Sequence, residues 1–473
     1  MQCQCLNRRD DVRPPGPQYD NRTMQTDPQS GRQMGAWAAT AVVTGEAISL
    51  GIFLTPAAMA RSLGSPALLA AVWCGMAVLT LAGALCFTEL AVRNPFDGGE
   101  YVYLCRGFGR HVAFLYGWMA ALVMYPGVAA SLCVGTAPYI QGLVPFPARL
   151  VPLLPALLIL GLGALTYAGT RLSSHVMATL NWLKIPVLVA LAGWALLSGH
   201  ATMSNLAPFT LRRPGADPLI EAIAGATISA FFCFGGWWEA GKIAGQVRNP
   251  ARILPIAFTA GVLAVTAIYM LVSLAFVATV PLEQIQSNTA FVAQFGQALF
   301  GAAGGRVLSA CVVLCVLGGL MVLSMAVPRV TYALARGEVG AESRGTLAAF
   351  ARLNPRTGVP ANAVLLQTGV ALAVLALGAF DRILAFIIFS AVVFLALTVA
   401  TLFRAITPVR RWWFPLAPIV FIAGCGILAA MLLLHNLGPS LLGAAIVLIG
   451  LPARSLLTRG SNVAQTVATE TST

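Results

Sequence analysis

Long runs of apolar residues follow one another along this chain, and short segments with charged residues, proline and glycine separate them. An α-helix rises about 1.5 Å per residue, so a run of roughly 20 apolar residues crosses a hydrocarbon layer about 30 Å thick. The pattern predicts about twelve membrane-spanning helices and therefore an all-α, polytopic membrane protein. The predicted spans are residues 37–62, 66–91, 112–138, 150–168, 176–199, 218–243, 253–280, 305–335, 362–379, 382–404, 412–433 and 436–453.

Composition excludes an ordinary soluble domain. Of the 473 residues, 58% are hydrophobic and only 10% are charged, and the mean hydropathy is +0.82. Residues 1–36 contain no apolar run of membrane length, so we expect a disordered tail and no signal peptide there. Residues 456–473 form a second predicted tail, without regular structure from Ser461 onward.

The distribution of basic residues predicts the orientation, because arginine and lysine beside a span tend to remain cytoplasmic. With the N-terminus inside, 22 of the 29 basic residues fall in cytoplasmic segments, six fall outside, and Lys184 lies within a span. Both termini are therefore predicted to be cytoplasmic. This distribution and contact with anionic membrane lipid account for the net charge of +13, and we expect no nucleic-acid partner.

The cysteines and histidines indicate no metal site, no cofactor and no structural disulfide. Seven of the ten cysteines lie within predicted spans, where cysteine behaves as a small hydrophobic residue. The four histidines are scattered near span ends without the spacing of metal ligands. The chain also contains no GxxxxGK[ST] loop, which argues against ATP-driven transport.

Two predicted spans are interrupted by glycine near their middles, at corresponding points in the two halves of the chain. The first reads TGEAISLGIFLTP (Thr44–Pro56) and the second FFCFGGWWEAGKIAGQVRNP (Phe231–Pro250). A helix that unwinds inside a membrane exposes N–H and C=O groups that lipid cannot satisfy. A matched pair of such breaks is typical of a transport site, although close helix packing is the alternative role of each single glycine.

Six motifs occur in order over nearly the whole chain. They are GIFLTP (Gly51–Pro56), GGEYVYL (Gly98–Leu104), AFLYGW (Ala113–Trp118), FCFGGW (Phe232–Trp237), VRNPARILP (Val247–Pro255) and NPRTGVPANA (Asn354–Ala363). Together they resemble the bacterial amino acid–polyamine–organocation permeases, close to the L-type amino acid transporter branch. The resemblance implies a bacterial inner-membrane protein of LeuT-type fold, in which helices 1 and 6 are broken. Its inverted repeats would be residues 37–200 and 201–405, followed by helices 11 and 12 at 406–455.

The resemblance also implies that an amino acid binds where the two broken helices meet. The implied substrate-binding residues are Ile48, Ser49, Leu50, Gly51, Phe232, Cys233, Phe234, Gly235 and Gly236. Amides of the first break would hold the carboxylate, because a half-helix N-terminus carries a partial positive charge. Carbonyl groups of the second break, with help from the Ile48 carbonyl, would hold the amino group.

The first break departs from the family, since the usual Gly-Ser-Gly reads Ser49-Leu50-Gly51 in this chain. The added side chains are expected to reshape the pocket and to affect which amino acid binds. An apolar lining by Leu50, Phe232 and Phe234 favours a neutral amino acid.

Lys184 and Glu46 are candidate coupling residues, because each places a charge within a predicted span, where an unpaired charge is costly. The resemblance implies that Lys184 replaces a sodium ion and joins helix 5 to the break in helix 1. Snorkelling of Lys184 to the membrane surface is the alternative. Glu46 is a candidate carrier of a coupled proton, a partner that keeps Lys184 charged, or a purely structural residue.

Four residues at the second break are candidate gate residues. The resemblance implies that Phe232 is an aromatic gate over the substrate, with plain apolar lining as the alternative. Trp238 replaces an asparagine of the L-type branch and narrows the pocket if its side chain faces inward. Glu239 and Lys242 are three residues apart on a helix, which favours a local ion pair, with a gate contact as the alternative.

These features predict a secondary active amino acid transporter that works by alternating access and is either proton-coupled or an exchanger. Its expected partners are an amino acid, protons and membrane lipid. We expect no disulfide-linked partner subunit, since no cysteine lies between Val134 and Phe232. A permease for polyamines or other organic cations is the nearest alternative, followed by an ion channel, which needs a continuous pore. No catalytic constellation favours an enzyme.

Overall fold

The computed structural model describes residues 34–144, 147, 149–207, 209–280, 288–339, 346–377, 380–404, 411–435 and 437–470. Within these ranges the regular structure is helical, apart from one isolated bridge between Met34 and Val247. The predicted N-terminal tail lies outside the described residues up to position 33.

We number the α-helices of the described ranges in chain order. They are α1 (Ala36–Ala47), α2 (Gly51–Leu63), α3 (Pro66–Arg93), α4 (Glu100–Phe108), α5 (Arg110–Leu143), α6 (Leu154–Ala168), α7 (Thr170–Leu197), α8 (Leu219–Phe234), α9 (Glu239–Lys242), α10 (Pro250–Thr279), α11 (Asn288–Phe300), α12 (Gly304–Val339), α13 (Thr346–Phe350), α14 (Ala361–Leu377), α15 (Phe380–Ala400), α16 (Leu416–His435) and α17 (Leu437–Glu470). Helix α5 contains a π turn at Ala120–Met124.

Nine helices in the described part of the chain are long and apolar enough to cross a membrane, and two shorter apolar helices accompany them. Large apolar side chains, such as Leu160, Ile419 and Ile427, are exposed on these helices. Such a surface suits lipid, and the helices satisfy their own backbone groups. The protein is therefore an all-helical, multi-pass integral membrane protein.

The helices follow the predicted spans where the apolar runs are continuous, as in α3, for which residues 66–91 are predicted. The predicted spans 37–62 and 218–243 are each divided, the first between α1 and α2 and the second between α8 and α9. Helix α17 continues to Glu470, although the sequence predicts a tail without regular structure from Ser461. Residues 461–470 contain no proline or glycine that would end the helix.

Helix α1 lies among α7, α10 and α12, and it packs against all three. Glycines allow the close approach. A Cβ atom on Gly261 of α10 would lie 2.4 Å from Val43, and one on Gly45 of α1 would lie 2.5 Å from Val322. Both distances are far below a normal contact between carbon atoms. The end of α1 is therefore held inside protein and away from lipid.

Candidate functional site

The first break separates α1 from α2 and leaves backbone donors free. The Ile48 amide still donates to the carbonyl oxygen of Thr44 at 3.1 Å, which completes the last turn of α1. The amides of Leu50, Gly51 and Ile52 donate to no backbone oxygen in the part of the chain that the structure describes. These amides begin α2 and carry a partial positive charge, so they can receive a carboxylate group.

The second break separates α8 from α9 and turns at Gly236. This residue has a φ of +96°, in the left-handed region. A Cβ atom at Gly236 would also lie 2.4 Å from the Cβ atom of Glu46. Only glycine meets both conditions. The turn consequently places the Glu46 side chain of α1 directly against the second break.

Tyr269 of α10 links the two breaks. Its hydroxyl lies within hydrogen-bond distance of the carbonyl oxygens of Ala47, at the end of α1, and of Cys233, at the end of α8, the latter at 2.7 Å, and its single proton can be donated to either one. Thr55 of α2 lies nearby, with its Oγ1 atom 2.7 Å from Cys233 Sγ. The two half-helices thus end side by side. The sequence did not single out Tyr269, because its partners are backbone atoms of distant helices.

A cavity lies between the breaks and is bounded by α5 and α15. The predicted residues on its wall are Glu46, Ser49, Gly51, Phe232, Cys233, Gly235, Gly236 and Trp238. The residues that sequence reasoning missed are Ala47, Met124, Tyr125, Val128, Leu132, Phe231, Ile388 and Ala391. The missed residues of α5 and α15 lie outside the six motifs. The structure therefore brings the two breaks to one mainly apolar cavity that has Glu46 and Ser49 on its wall.

Three predicted substrate residues are not on this wall. Leu50 rests against α5, where a Cβ atom on Gly135 would lie 2.7 Å from Leu50 Cδ2. Phe234 is buried, with its ring centroid 6.0 Å from that of Trp73, and Ile48 is fully buried. The predicted apolar lining by Leu50 and Phe234 is thus absent. Side-chain direction in a broken helix does not follow the helical repeat, so the sequence could not predict it.

Lys184 of α7 reaches the end of α1. Its Nζ atom donates to the carbonyl oxygens of Gly45 and Ile48, the latter at 2.6 Å. The side chain is fully buried, which rules out snorkelling to the membrane surface. A cation is favourable at a helix C-terminus, where the unpaired carbonyl groups carry a partial negative charge. Lys184 therefore braces the first break from behind, and it does not line the cavity.

Four charged side chains beside the second break form what we call the carboxylate cluster: Glu46, Glu100, Glu239 and Lys242. Lys242 Nζ lies 2.6 Å from Glu239 Oε1 and 2.9 Å from Glu100 Oε1. All three of these side chains are buried. Glu46 lies within electrostatic reach of them. The ion pair predicted between Glu239 and Lys242 is present, but sequence reasoning missed Glu100, which comes from a distant helix.

Tyr125 of α5 connects the carboxylate cluster to the cavity. Its hydroxyl donates to Glu239 Oε1 at 3.1 Å, and its ring centroid lies 4.9 Å from Lys242 Nζ. Tyr125 also lines the cavity, as Glu46 does. Trp238 is on the same wall and stacks on Phe231 with 6.3 Å between ring centroids. The carboxylate cluster therefore reaches the cavity directly through Glu46 and indirectly through Tyr125, which contacts Glu239 and Lys242.

A further ion pair joins distant segments of the chain. Arg329 of α12 lies 2.6 Å from Asp97 Oδ2, which also accepts a hydrogen bond from Gln246 at 3.0 Å. Arg329 donates in addition to Thr170 Oγ1 and to the carbonyl oxygen of Gly358, both at 3.2 Å. One guanidinium group thus ties α12 to the segment after α3, to the start of α7 and to the segment before α14.

Comparison with known proteins agrees with the motifs. The mouse b(0,+)-type amino acid transporter 1 is 30% identical over 269 residues, 55% of this chain and 54% of that protein. The rat large neutral amino acids transporter small subunit 2 is 28% identical over 279 residues, 57% of this chain and 52% of that protein. The chain spans about half the length of these animal relatives.

A bacterial relative aligns over more of its length. The serine/threonine exchanger SteT of Bacillus subtilis (strain 168) is 24% identical over 433 residues, 89% of this chain and 95% of that protein. The family model described as amino acid permease matches residues 34–451, which include both breaks, the cavity and the carboxylate cluster. The chain therefore belongs to the amino acid permease family.

Proposed function

We propose that this protein is a secondary active amino acid transporter that works by alternating access. The observation that carries the proposal is that Gly51, whose amide at the start of α2 has no backbone acceptor among the described residues, and the Glu46 carboxylate lie on one cavity between two broken helices. An amino acid zwitterion needs a positive and a negative partner close together, and the cavity offers both. The names of the relatives, a serine/threonine exchanger and amino acid transporters, support the same class.

The carboxylate of the substrate binds at the start of α2. The Ser49 amide already donates to the carbonyl oxygen of Ala47 at 3.0 Å, whereas the next three amides have no backbone acceptor among the described residues. The carboxylate site therefore comprises Leu50, Gly51 and Ile52, one residue further along than the sequence predicts. Gly51 lies on the cavity wall, and the side chain of Leu50 packs against Gly135 of α5.

The amino group of the substrate binds mainly to Glu46. The predicted carbonyl acceptors are partly used, since Phe232 accepts from the Gly235 amide, Cys233 from Tyr269 and Ile48 from Lys184. Each carbonyl keeps a second lone pair, but a carboxylate accepts a stronger hydrogen bond from an ammonium group. Phe232 remains on the cavity wall as an aromatic cover.

The side chain of the substrate is neutral. Its surroundings are the apolar residues Val128 and Leu132 of α5 and Ile388 of α15. The expectation of a neutral amino acid therefore rests on these three residues and no longer on Leu50 and Phe234. Glu46 favours, as a second candidate, an organic cation such as a polyamine, because a carboxylate beside aromatic rings also suits an amine without a carboxylate.

We propose further that the chain has a LeuT-type fold with twelve spans and inverted repeats at 37–200 and 201–405. The position of Tyr269 between the broken ends of α1 and α8 supports this arrangement, because each of these helices begins one of the two repeats. Helices 11 and 12 occupy 406–455. The basic residues support cytoplasmic termini in a bacterial inner membrane, without a disulfide-linked partner.

Two sets of contacts hold one side of the cavity closed. The carboxylate cluster joins α9 to α4, and the Arg329–Asp97 ion pair joins α12 to the segment after α3. Opening on that side requires these contacts to separate while the site around the breaks stays intact. The arrangement suits a carrier that exposes one site alternately, since a binding site and a closed barrier occur together.

The test is uptake of labelled amino acids by proteoliposomes. We would compare L-serine, L-threonine, L-leucine and putrescine, with and without internal substrate and with pH gradients of either direction. Saturable uptake that requires internal substrate indicates an exchanger, and uptake driven by a pH gradient indicates proton coupling. Transport of putrescine alone would shift the assignment to organic cations. No uptake under any condition would contradict the proposal.

A matched pair of variants tests whether transport depends on the second break. Gly236→Ala forces a strained φ and a clash with Glu46, so we expect uptake to disappear. Gly225→Ala, on helix α8 before the break, places its Cβ atom in open space and should transport normally. Equal uptake by the two variants would argue against a site at this break.

Tyr269→Phe should lower uptake about 5- to 30-fold, because the link between the two breaks loses a buried hydroxyl worth about 1–2 kcal/mol. The ring keeps its contacts with Trp73 and Phe234, each 5.2 Å away between centroids, so the fold should survive. Tyr167→Phe, at an exposed tyrosine of α6, is the control. Uptake by Tyr269→Phe that matches this control would show that the link is dispensable.

A further inference from the structure

The carboxylate cluster has an excess of negative charge. Glu46, Glu100 and Glu239 contribute three carboxylates, whereas Lys242 contributes the only ammonium group within the cluster. Lys184 is the other buried cation within electrostatic reach of Glu46. Counting both lysines, the five groups still carry one uncompensated negative charge when all are ionised.

Lys184 is already committed elsewhere. Its Nζ atom donates to two backbone carbonyl oxygens, those of Gly45 and Ile48. Among the described residues, no carboxylate lies within ion-pair distance of it. An ammonium group that supplies protons to two carbonyls at the end of a helix is stabilised in its charged form. Lys184 is thus held at the end of α1 and forms no ion pair with the carboxylates of the cluster.

Three carboxylate oxygens of the cluster lack a hydrogen-bond partner. Glu46 Oε2, Glu100 Oε2 and Glu239 Oε2 are buried and accept no hydrogen bond from any described residue. Glu239 is fully buried, and Glu46 forms part of the cavity wall. A buried carboxylate without a partner is costly, so a group with a positive charge is required at this point.

We propose that the carboxylate cluster is a proton-binding site that is loaded in the empty carrier and unloaded when a substrate ammonium group reaches Glu46. In the empty state one carboxylate holds the proton as an O–H group. When the ammonium group arrives, the proton passes to water and the carboxylate accepts an N–H hydrogen bond. The charge of the cluster together with the substrate ammonium group is the same in both states, and the amides that begin α2 stabilise the carboxylate of the substrate separately. Only the unloading step rests on the proposed function.

The other titratable groups near the cluster leave the charge count unchanged. They are Tyr116 and Tyr125 of α5, Tyr103 of α4 near Glu100, and Cys315 of α12 near Lys184. Phenols and thiols are uncharged at neutral pH unless strongly activated, and burial in an apolar core opposes their ionisation. The exchangeable proton therefore belongs to the carboxylates, and the tyrosine hydroxyls act as hydrogen-bond partners.

Because the proton and the substrate exclude each other, the direction in which substrate affinity changes with pH is fixed. Raising the pH unloads the site, so the affinity for substrate rises with pH by up to about tenfold per pH unit, until the empty carrier no longer holds the proton. Above that point the affinity is independent of this proton. A carrier that returns with either a proton or a substrate exchanges one for the other, which is the behaviour of an antiporter.

The proton site is tested first without substrate. Infrared spectra of the purified carrier, recorded across a pH titration, report the C=O stretch of protonated carboxyl groups. We expect such a band at neutral pH, its loss in Glu46→Gln, which removes the excess charge, and its retention in Glu221→Gln, an exposed control on α8. An unchanged band in Glu46→Gln, or no band in the wild-type protein, overturns the proposal.

Unloading is tested by adding L-serine in weak buffer with a pH indicator. The wild-type protein and Glu221→Gln should release up to about one proton per bound L-serine, and Glu46→Gln should release none. Binding without release would overturn the unloading step. If L-serine does not bind, the function proposed for this substrate fails, while the infrared titration still decides whether the proton site exists.

Discussion

Lys242→Met is expected to destabilise the protein by about 3–5 kcal/mol, because two buried carboxylates lose the ammonium group that they share. Methionine keeps the length of the side chain and removes its charge. Glu239 Oε1 and Glu100 Oε1 lie 2.6 and 2.9 Å from Lys242 Nζ, and none of the three side chains has appreciable solvent access. The measurement is the unfolding temperature of the detergent-purified protein, together with its yield from the membrane.

Two control variants distinguish instability caused by unpaired charge from instability caused by altered packing. The triple variant Glu100→Gln/Glu239→Gln/Lys242→Met leaves no uncompensated charge and should recover most of the lost stability. Arg93→Met should cost no more than about 1 kcal/mol, because Arg93 is partly exposed and Glu89 keeps a second partner, Arg411, at 2.9 Å. If Lys242→Met unfolds at the wild-type temperature, the cluster contributes nothing to stability. If the triple variant is as unstable as Lys242→Met, packing and not charge is responsible.

The helices were largely predictable because lipid imposes a simple rule on length and polarity. Residues 66–91 were expected to form a span, and α3 extends over Pro66–Arg93. Residues 112–138 were expected to form another, and α5 extends over Arg110–Leu143. The differences lie at the ends, where a helix can continue into the polar interface without any change in the apolar run.

The two helix breaks that bound the candidate site were predictable from glycine, but the other residues that line the cavity were not. Gly236 was identified from the sequence, and its positive φ and its contact with Glu46 show why no other residue fits. Tyr125 and Glu100 were missed as members of the site because each acts through contacts with α9, more than 100 residues away in the chain. A single sequence indicates which residues belong to each helix, but it does not indicate which residues of other helices they contact.

The directions of the side chains at the first break were also unpredictable. Ser49, Leu50 and Gly51 are consecutive, yet Ser49 and Gly51 line the cavity and Leu50 packs against Gly135. Helical periodicity cannot assign directions where the helix is interrupted. As a result, the proposal of a neutral substrate rests on the apolar residues of α5 and α15 that line the cavity.

The two buried lysines, Lys184 and Lys242, stabilise different kinds of group. Lys242 neutralises carboxylates, and its removal leaves charges unpaired. Lys184 donates hydrogen bonds to the carbonyl oxygens of Gly45 and Ile48, and its removal leaves these carbonyl groups at the end of α1 without a side-chain donor. Loss of Lys184 should consequently affect the geometry of the first break more than the stability of the whole protein.

Lys184→Met is therefore expected to reduce L-serine uptake by at least about 100-fold. Each hydrogen bond from a charged donor contributes about 1.5–3 kcal/mol, and tenfold in binding corresponds to about 1.4 kcal/mol. Without the ammonium group, the carbonyls of Gly45 and Ile48 lose their side-chain donor, and the amides that begin α2 shift away from the position that receives the carboxylate. The measurement is uptake per folded carrier in proteoliposomes. Val189→Met, at an exposed position of the same helix, should transport normally.

The pH dependence of Lys184→Met distinguishes bracing from proton transport. If Lys184 braces the first break and the carboxylates carry the proton, the variant binds L-serine weakly but keeps the rise in affinity with pH, which only Glu46→Gln abolishes. If Lys184 itself carried the proton, the result would be reversed, and Lys184→Met would be insensitive to pH. Wild-type uptake by Lys184→Met would exclude both roles, because either one requires the ammonium group at the end of α1.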